Sequence, residues 1–188
     1  ELWNAFADFC AKARTVVAPA GDAVRLGADT SFAVVAPDEA PGAGPSADFL
    51  ADLDMPAYKL ASADLKNISL LRHVAEIGKP MVISTGGAML EDVKRAFEAT
   101  ADLNPQVAVL QCTAGYPASW DELDLAVIQT YREAFPDAVV GLSSHDNGIA
   151  MPVAAFVLGA RIVEKHFTLN RVMKGTDHRF SLEPQGLR

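Results

Sequence analysis

Short apolar runs alternate with helical stretches along most of this chain, and that alternation limits the fold more than any other feature. Residues 31–36, 58–62, 81–84, 107–112, 138–143 and 161–167 each read as a short strand. The segments 47–53, 69–77, 90–99, 124–135 and 149–158 between them carry helical patterns. Residues 37–45, rich in Pro, Gly and Ala, read as a loop. Leu2, Phe6, Phe9 and Ala13 are spaced as one face of a further helix, which has no N-cap ahead of it. Strands alternating with helices predict βα units on a parallel sheet.

Two architectures satisfy this pattern, an open doubly wound sheet and a (β/α)8 barrel. No Gly-rich dinucleotide fingerprint follows the first strand. Polar residues gather instead at the C-terminal ends of consecutive strands: Lys59 and Ser62, Ser84 and Thr85, Cys112 and Thr113, Ser143 and His145, Glu164 and His166. A barrel builds its site from all those ends, whereas an open sheet uses mainly one switch point. The expectation is an α/β chain forming an incomplete (β/α)8 TIM-type barrel. A complete barrel takes about 250 residues. Six strands in 188 residues, starting at Glu1 without Met, read as strands three to eight of one partial barrel domain over 1–188.

A net charge of −8 argues against sequence-independent nucleic-acid binding, which needs Lys and Arg to neutralise phosphates. It leaves room for a small anionic substrate held by a local cluster. Cys10 and Cys112 form no framework, which fits a reducing, cytoplasmic setting. No apolar run approaches the roughly 18 residues of a membrane span, and no signal peptide is visible.

Side chains on a strand alternate faces. Ser143 and His145 therefore point one way, and so do Glu164 and His166, with Lys165 opposite. Adjacent strands would bring two imidazoles and a carboxylate toward one pocket, a set able to hold a divalent metal with open positions. Either His alone reads equally as a hydrogen-bonded barrel residue. Lys59 inside an apolar strand reads as an anion clamp, a Schiff-base amine, or a Lys whose stem lies along the barrel. Ser62, Ser84 and Thr85 add hydroxyls, and Gly86-Gly87 permits close backbone approach. Cys112 has no identifiable base and reads as packing. His73 falls on a helix and reads as surface or packing. Tyr116 can shape a loop at the mouth, and Asp177 and His178 lie in a loop beyond the last strand.

Tyr58-Lys-Leu-Ala-Ser62, Gly78-Lys-Pro-Met-Val-Ile-Ser-Thr-Gly86, Gln111-Cys-Thr-Ala-Gly-Tyr-Pro117, Gly141-Leu-Ser-Ser-His145, Glu164-Lys-His-Phe-Thr168 and Gly175-Thr-Asp-His178 occur in that order. Together they resemble the N-acetylneuraminate (sialic acid) synthase family, from about Ala47 to Pro184. The resemblance implies a (β/α)8 barrel followed by an antifreeze-like domain, which this chain lacks, and a cytoplasmic enzyme that is a homodimer at full length. The implied activity condenses phosphoenolpyruvate with an N-acyl amino sugar to give a nonulosonic acid and phosphate. By the same resemblance His145 and His166 bind Mn²⁺ or Mg²⁺, which polarises the sugar aldehyde. Lys59, Ser62, Ser84 and Ser143 bind phosphoenolpyruvate, Glu164 handles a proton, and Tyr116 and Asp177 lie near the sugar.

Three departures from the family pattern stand out. Ala114 replaces a common Asn, and Val34-Val35-Ala36 replaces Ser-Thr-Pro. Ser144 replaces an Asp beside His145, and so removes a carboxylate there. Two alternatives remain at this stage: a related phosphoenolpyruvate-dependent synthase of another 3-deoxy sugar acid, and an inactive barrel fragment.

Overall fold

The computed structural model describes residues 33–35 and 44–186. The helix expected around Leu2 to Ala13 and the unmatched stretch 14–29 lie outside the described residues. Six strands are β1 (Ala33–Val35), β2 (Tyr58–Leu60), β3 (Met81–Ser84), β4 (Val107–Cys112), β5 (Val139–Ser144) and β6 (Ile162–Lys165). The helices are α1 (Gly44–Asp52), α2 (Ile68–Glu76), α3 (Leu90–Ala101), α4 (Val127–Ala134) and α5 (Ala150–Leu158). Neighbouring strands follow chain order from β1 to β6. The pairs β1–β2, β2–β3 and β5–β6 are parallel. An α/β chain with a helix between successive parallel strands is the repeating unit of a (β/α)8-type barrel, here six strands of it.

The described residues divide into two compact units, one within Glu1–Ser84 and Ala88–Ala108, the other within Thr85–Gly87 and Val109–Arg188. In the first, Tyr58, Leu60, Leu70, Leu71, Met81 and Ile83 are almost wholly buried. Helix α2 turns Leu70, Leu71, Val74 and Ala75 inward at three- and four-residue spacing, and Asn67 caps it by accepting from the Leu70 amide at 3.2 Å. In the second unit Leu110, Ile128, Leu142 and Phe180 form the core. Strands β3, β4 and β5 are buried at every position. Cover on both faces explains why they read as continuous apolar runs and not as alternating ones.

Several boundaries differ from the sequence reading by two residues or more. Helix α1 begins at Gly44, inside the stretch read as loop. Strand β2 stops at Leu60, because Ser62–Asp64 winds into a 3-10 turn. Strand β6 stops at Lys165, and the chain beyond it is held by the returning loop: Leu182 N–H donates to His166 O and Thr168 N–H to Leu182 O, each at 2.8 Å. Helix α4 begins at Val127, after a 3-10 turn over Trp120–Glu122 whose Ser119 amide donates to the Glu122 carboxylate at 3.2 Å.

The β5–β6 pairing depends on one glycine. A Cβ on Gly141 would lie 2.5 Å from the Ile162 carbonyl oxygen and 2.5 Å from Leu110 Cδ2. Any side chain there pushes the strands apart or displaces the core. Gly141→Ala is expected to cost about 1–3 kcal/mol, the usual range for overpacking, read as a lower urea midpoint with an unchanged m-value.

Candidate active site

In the first unit the polar strand tips come from β2 and β3. Lys59, between the buried Tyr58 and Leu60, donates from Nζ to the Leu60 carbonyl at 3.0 Å. Ser62 opens the 3-10 turn, and Asp64 closes it. Asp64 is buried, and its Oδ2 has no hydrogen-bond partner. Burial raises its carboxyl above the ordinary range, while the charge of Lys59 pulls it back down. Ser84, at the end of β3, is also buried, with its Oγ unpartnered. Buried polar atoms normally have partners, and these two oxygens of the first unit find none within the protein.

The second unit brings together most of the remaining residues picked from the sequence. Parallel register sets Ser143 against Glu164 and Ser144 against Lys165. Ser143 Oγ donates to Glu164 Oε1 at 3.4 Å. One step further along each chain, the rings of His145 and His166 lie with centroids 5.2 Å apart. Alternation thus holds through both tips, although His145 and His166 each lie one residue beyond the strand proper. His145 is buried, and its Nδ1 lies 3.1 Å from the Thr113 carbonyl. That carbonyl requires the proton on Nδ1 and leaves Nε2 with the lone pair. His166 Nδ1 faces the Asp177 carboxylate at 3.8 Å, which favours the same tautomer.

Aromatic walls hold both rings. Tyr116 lies over His145 at 4.2 Å between centroids and edge-on to His166 at 6.2 Å. Phe180, from the 3-10 turn His178–Phe180, packs against His166 at 5.1 Å and His145 at 6.4 Å. Burial works against a charged His145, but contacts with Cys112 and Thr113 and the negative charge of Glu164 hold its pKa above the ordinary value. His166 goes the other way, lowered by burial and by His145 beside it. Burial also raises the Tyr116 phenol, with Cys112, Glu164 and Asp177 adding to it.

Other sequence candidates have local roles. His178 Nδ1 lies 2.7 Å from Thr168 Oγ1 and ties the loop to the strand exit. His73 pairs with Asp48 at 2.7 Å on the surface, as its helix position suggested. Cys112 Sγ lies 4.0 Å from His145 Nδ1, so a ring does stand beside it, although the Thr113 carbonyl is the nearer and stronger acceptor.

The sequence reading missed four residues. Asp64 and Phe180 lie in 3-10 turns, which leave no periodic signal. Asp146 and Lys165 were legible in principle. The alternation that groups Ser143 with His145 also puts Ser144 and Asp146 on the opposite face, level with Lys165. Lys165 Nζ donates to Asp146 Oδ1 at 2.9 Å and to Ser144 Oγ at 3.1 Å. The expected loss of a carboxylate at Ser144 is thus offset by one two residues later, although on the face away from the imidazoles.

The family model described as the NeuB family matches residues 40–188. The chain belongs to the NeuB family. It is 42% identical over 137 residues to the N-acetylneuraminate-9-phosphate synthase of Homo sapiens, a match covering 73% of this chain and 38% of that protein. The spore coat polysaccharide biosynthesis protein of Bacillus subtilis has a solved structure that superimposes with a TM-score of 0.76 at 39% identity, over 82% of this chain and 42% of that one. The N-acetylneuraminic acid synthetase of Leptospira borgpetersenii, solved with citrate, gives a TM-score of 0.73 at 32% identity, over 76% and 50% respectively. The NeuB-family chain thus spans about two fifths of the length of the curated relatives it matches.

Asp64 yields a test by pH. Its folded pKa lies above the ordinary aspartate value of 3.8. Below that value the carboxyl is neutral in both states, and burial of a charge costs nothing. As pH rises through 3.8 the unfolded chain releases its proton first, so stability falls until the folded pKa is passed. Asp64→Asn is therefore expected to melt higher than wild type at pH 7 and to lose that advantage below pH 3.8, as read by calorimetry across pH.

Proposed function

We propose that the full-length protein containing this chain joins phosphoenolpyruvate to the open-chain aldehyde of an N-acyl amino sugar, releasing phosphate and a nonulosonic acid. The observation that carries this reading is the pair of imidazoles from successive parallel strands, each with an oxygen at Nδ1, beside the Ser143–Glu164 pair. Family membership and relatives named for N-acetylneuraminate-9-phosphate and N,N'-diacetyllegionaminic acid synthesis support the same chemistry.

The donor set suits a divalent ion. Both His145 and His166 present Nε2 lone pairs when their Nδ1 protons point at oxygen. Among the described residues no three His, Cys, Asp or Glu side chains are grouped to hold a metal. The two paired imidazoles of His145 and His166 are assigned as its protein ligands, which would leave positions open for substrate oxygens. Bound there, Mn²⁺ or Mg²⁺ supplies Lewis acidity toward the aldehyde oxygen.

The chain's own groups do the rest. Lys59 and the hydroxyls of Ser62, Ser84 and Ser143 are assigned to the phosphate and carboxylate of phosphoenolpyruvate. Asp177 and Tyr116 are assigned to the sugar. Carbon 3 of phosphoenolpyruvate bonds to the aldehyde carbon with the C2–C3 π pair, which leaves carbon 2 cationic. Water adds at carbon 2, and its proton passes by way of Glu164 to the former aldehyde oxygen, which becomes a hydroxyl. The resulting tetrahedral centre expels phosphate by C–O cleavage to give the keto acid. No described helix is long and apolar enough to cross a membrane.

The direct test is phosphate release by the full-length protein with phosphoenolpyruvate, Mn²⁺ and a panel of acceptors. N-acetylmannosamine, its 6-phosphate and di-N-acetylated hexoses are expected to turn over, and erythrose and arabinose phosphates are not. Preference for the sugar phosphates without N-acyl groups would move the assignment to another 3-deoxy acid synthase. His145→Ala and His166→Ala are each expected to remove metal-dependent turnover. Glu164→Gln should keep Mn²⁺ binding and lose about 100-fold or more in kcat, the scale of general acid–base catalysis. Lys59→Met should raise the KM for phosphoenolpyruvate and leave the sugar KM nearly unchanged.

A further inference from the structure

Behind the imidazoles lies a buried charge pair that the proposed chemistry does not use. Lys165 and Asp146 have side chains 5% and 0% exposed. The ammonium donates to Asp146 Oδ1 at 2.9 Å and to Ser144 Oγ at 3.1 Å, and also to the Asp146 backbone carbonyl. Ser144 Oγ in turn donates to Asp146 Oδ1. The second carboxylate oxygen, Oδ2, is buried without a partner. A pair held this way is a poor means of gaining stability, since desolvating two charges consumes most of their attraction and the orphaned oxygen adds a further cost.

Its position in the chain points to another role. Ser144 and Asp146 are the two neighbours of His145, and Lys165 is the residue between Glu164 and His166. One ammonium therefore binds both chain neighbours of His145, from the residue next to His166. The His145 carbonyl accepts from the Ala118 amide at 3.2 Å, which fixes the same peptide from a third direction. We propose that the Lys165–Asp146–Ser144 cluster is a positioning clamp that sets the orientation of His145 and His166 without touching substrate. It rests on the reading of these rings as the working site, and it makes Asp146 and Lys165 positioning residues. The register adds a specific consequence. Ser144 lies directly opposite Lys165, so a carboxylate at 144 would reach the same amine.

The test uses the full-length protein and three variants: Asp146→Asn, the double variant Lys165→Met/Asp146→Leu, and the exchange Ser144→Asp/Asp146→Asn. Long-range ¹H–¹⁵N spectra of the metal-free protein report the His145 tautomer. Titration with Mn²⁺ alone reports ion affinity, and calorimetry reports folding. In wild type, His145 is expected in one tautomer, protonated at Nδ1. The double variant should fold with a melting temperature near wild type, yet show averaged tautomers and bind Mn²⁺ about 10–100-fold more weakly, the range seen when groups behind metal ligands are removed. Asp146→Asn should fall between the two, and the exchange should return both ring state and affinity to within about threefold of wild type. A double variant with wild-type tautomer and affinity overturns the clamp, as does an exchange that restores folding but neither of the other two. If wild type binds no Mn²⁺ while the ring state still follows the clamp, the metal reading fails and the clamp stands.

Discussion

The parallel pairing of β5 with β6 is the contact on which the second unit depends. It sets Ser143 opposite Glu164 and Ser144 opposite Lys165, and the approach of the two imidazoles follows from that register. A slip of one residue would reverse the faces of one strand relative to the other. His166 would then face away from His145, and Lys165 would take its place beside that ring. The register is held at both ends of the strand pair. Gly141 lets the backbones approach where any Cβ would collide with the Ile162 carbonyl, and Lys165 binds across the strand tips at the far end.

The two faces of those tips have opposite chemistry. One carries Ser143, His145, Glu164 and His166, walled by Tyr116 and Phe180, and is the face proposed to meet the substrate. The other carries Ser144, Asp146 and Lys165, whose polar atoms turn mainly on one another. The division follows from the two-residue period of a strand: once one face is given to chemistry, the intervening residues must be satisfied on the other side. The opposite pKa shifts of the two imidazoles fit a site in which neighbouring rings do not both take a proton.

Local pattern made much of the fold readable. Strands β3 and β4 have the limits expected from their apolar runs, and helices α2, α3 and α5 fall within a residue or two of expectation. Three of the misplaced limits have a common cause. The ends of β2 and β6 and the start of α4 are decided by 3-10 turns and by the returning segment around Leu182, and these depend on partners distant in sequence or on cap geometry. Phe180 shows the same limit within the site: it lies in a one-turn segment, and only its packing shows that it forms a wall for both rings.

The sequence alone determined the α/β class, the consecutive strands with polar tips, the faces shared by Ser143 with His145 and Glu164 with His166, and the NeuB-type motifs in order. All of these are local periodicities or linear patterns, carried by residues within a few positions of one another. Tertiary structure decided which nitrogen of His145 is left open, because that depends on a carbonyl at Thr113, more than thirty residues away. It also decided that the carboxylate absent at Ser144 is supplied by Asp146 to Lys165, and that Asp64 is buried near the charge of Lys59. Those facts depend on burial and distance between segments that meet only once the sheet has formed, and no spacing along the chain encodes them.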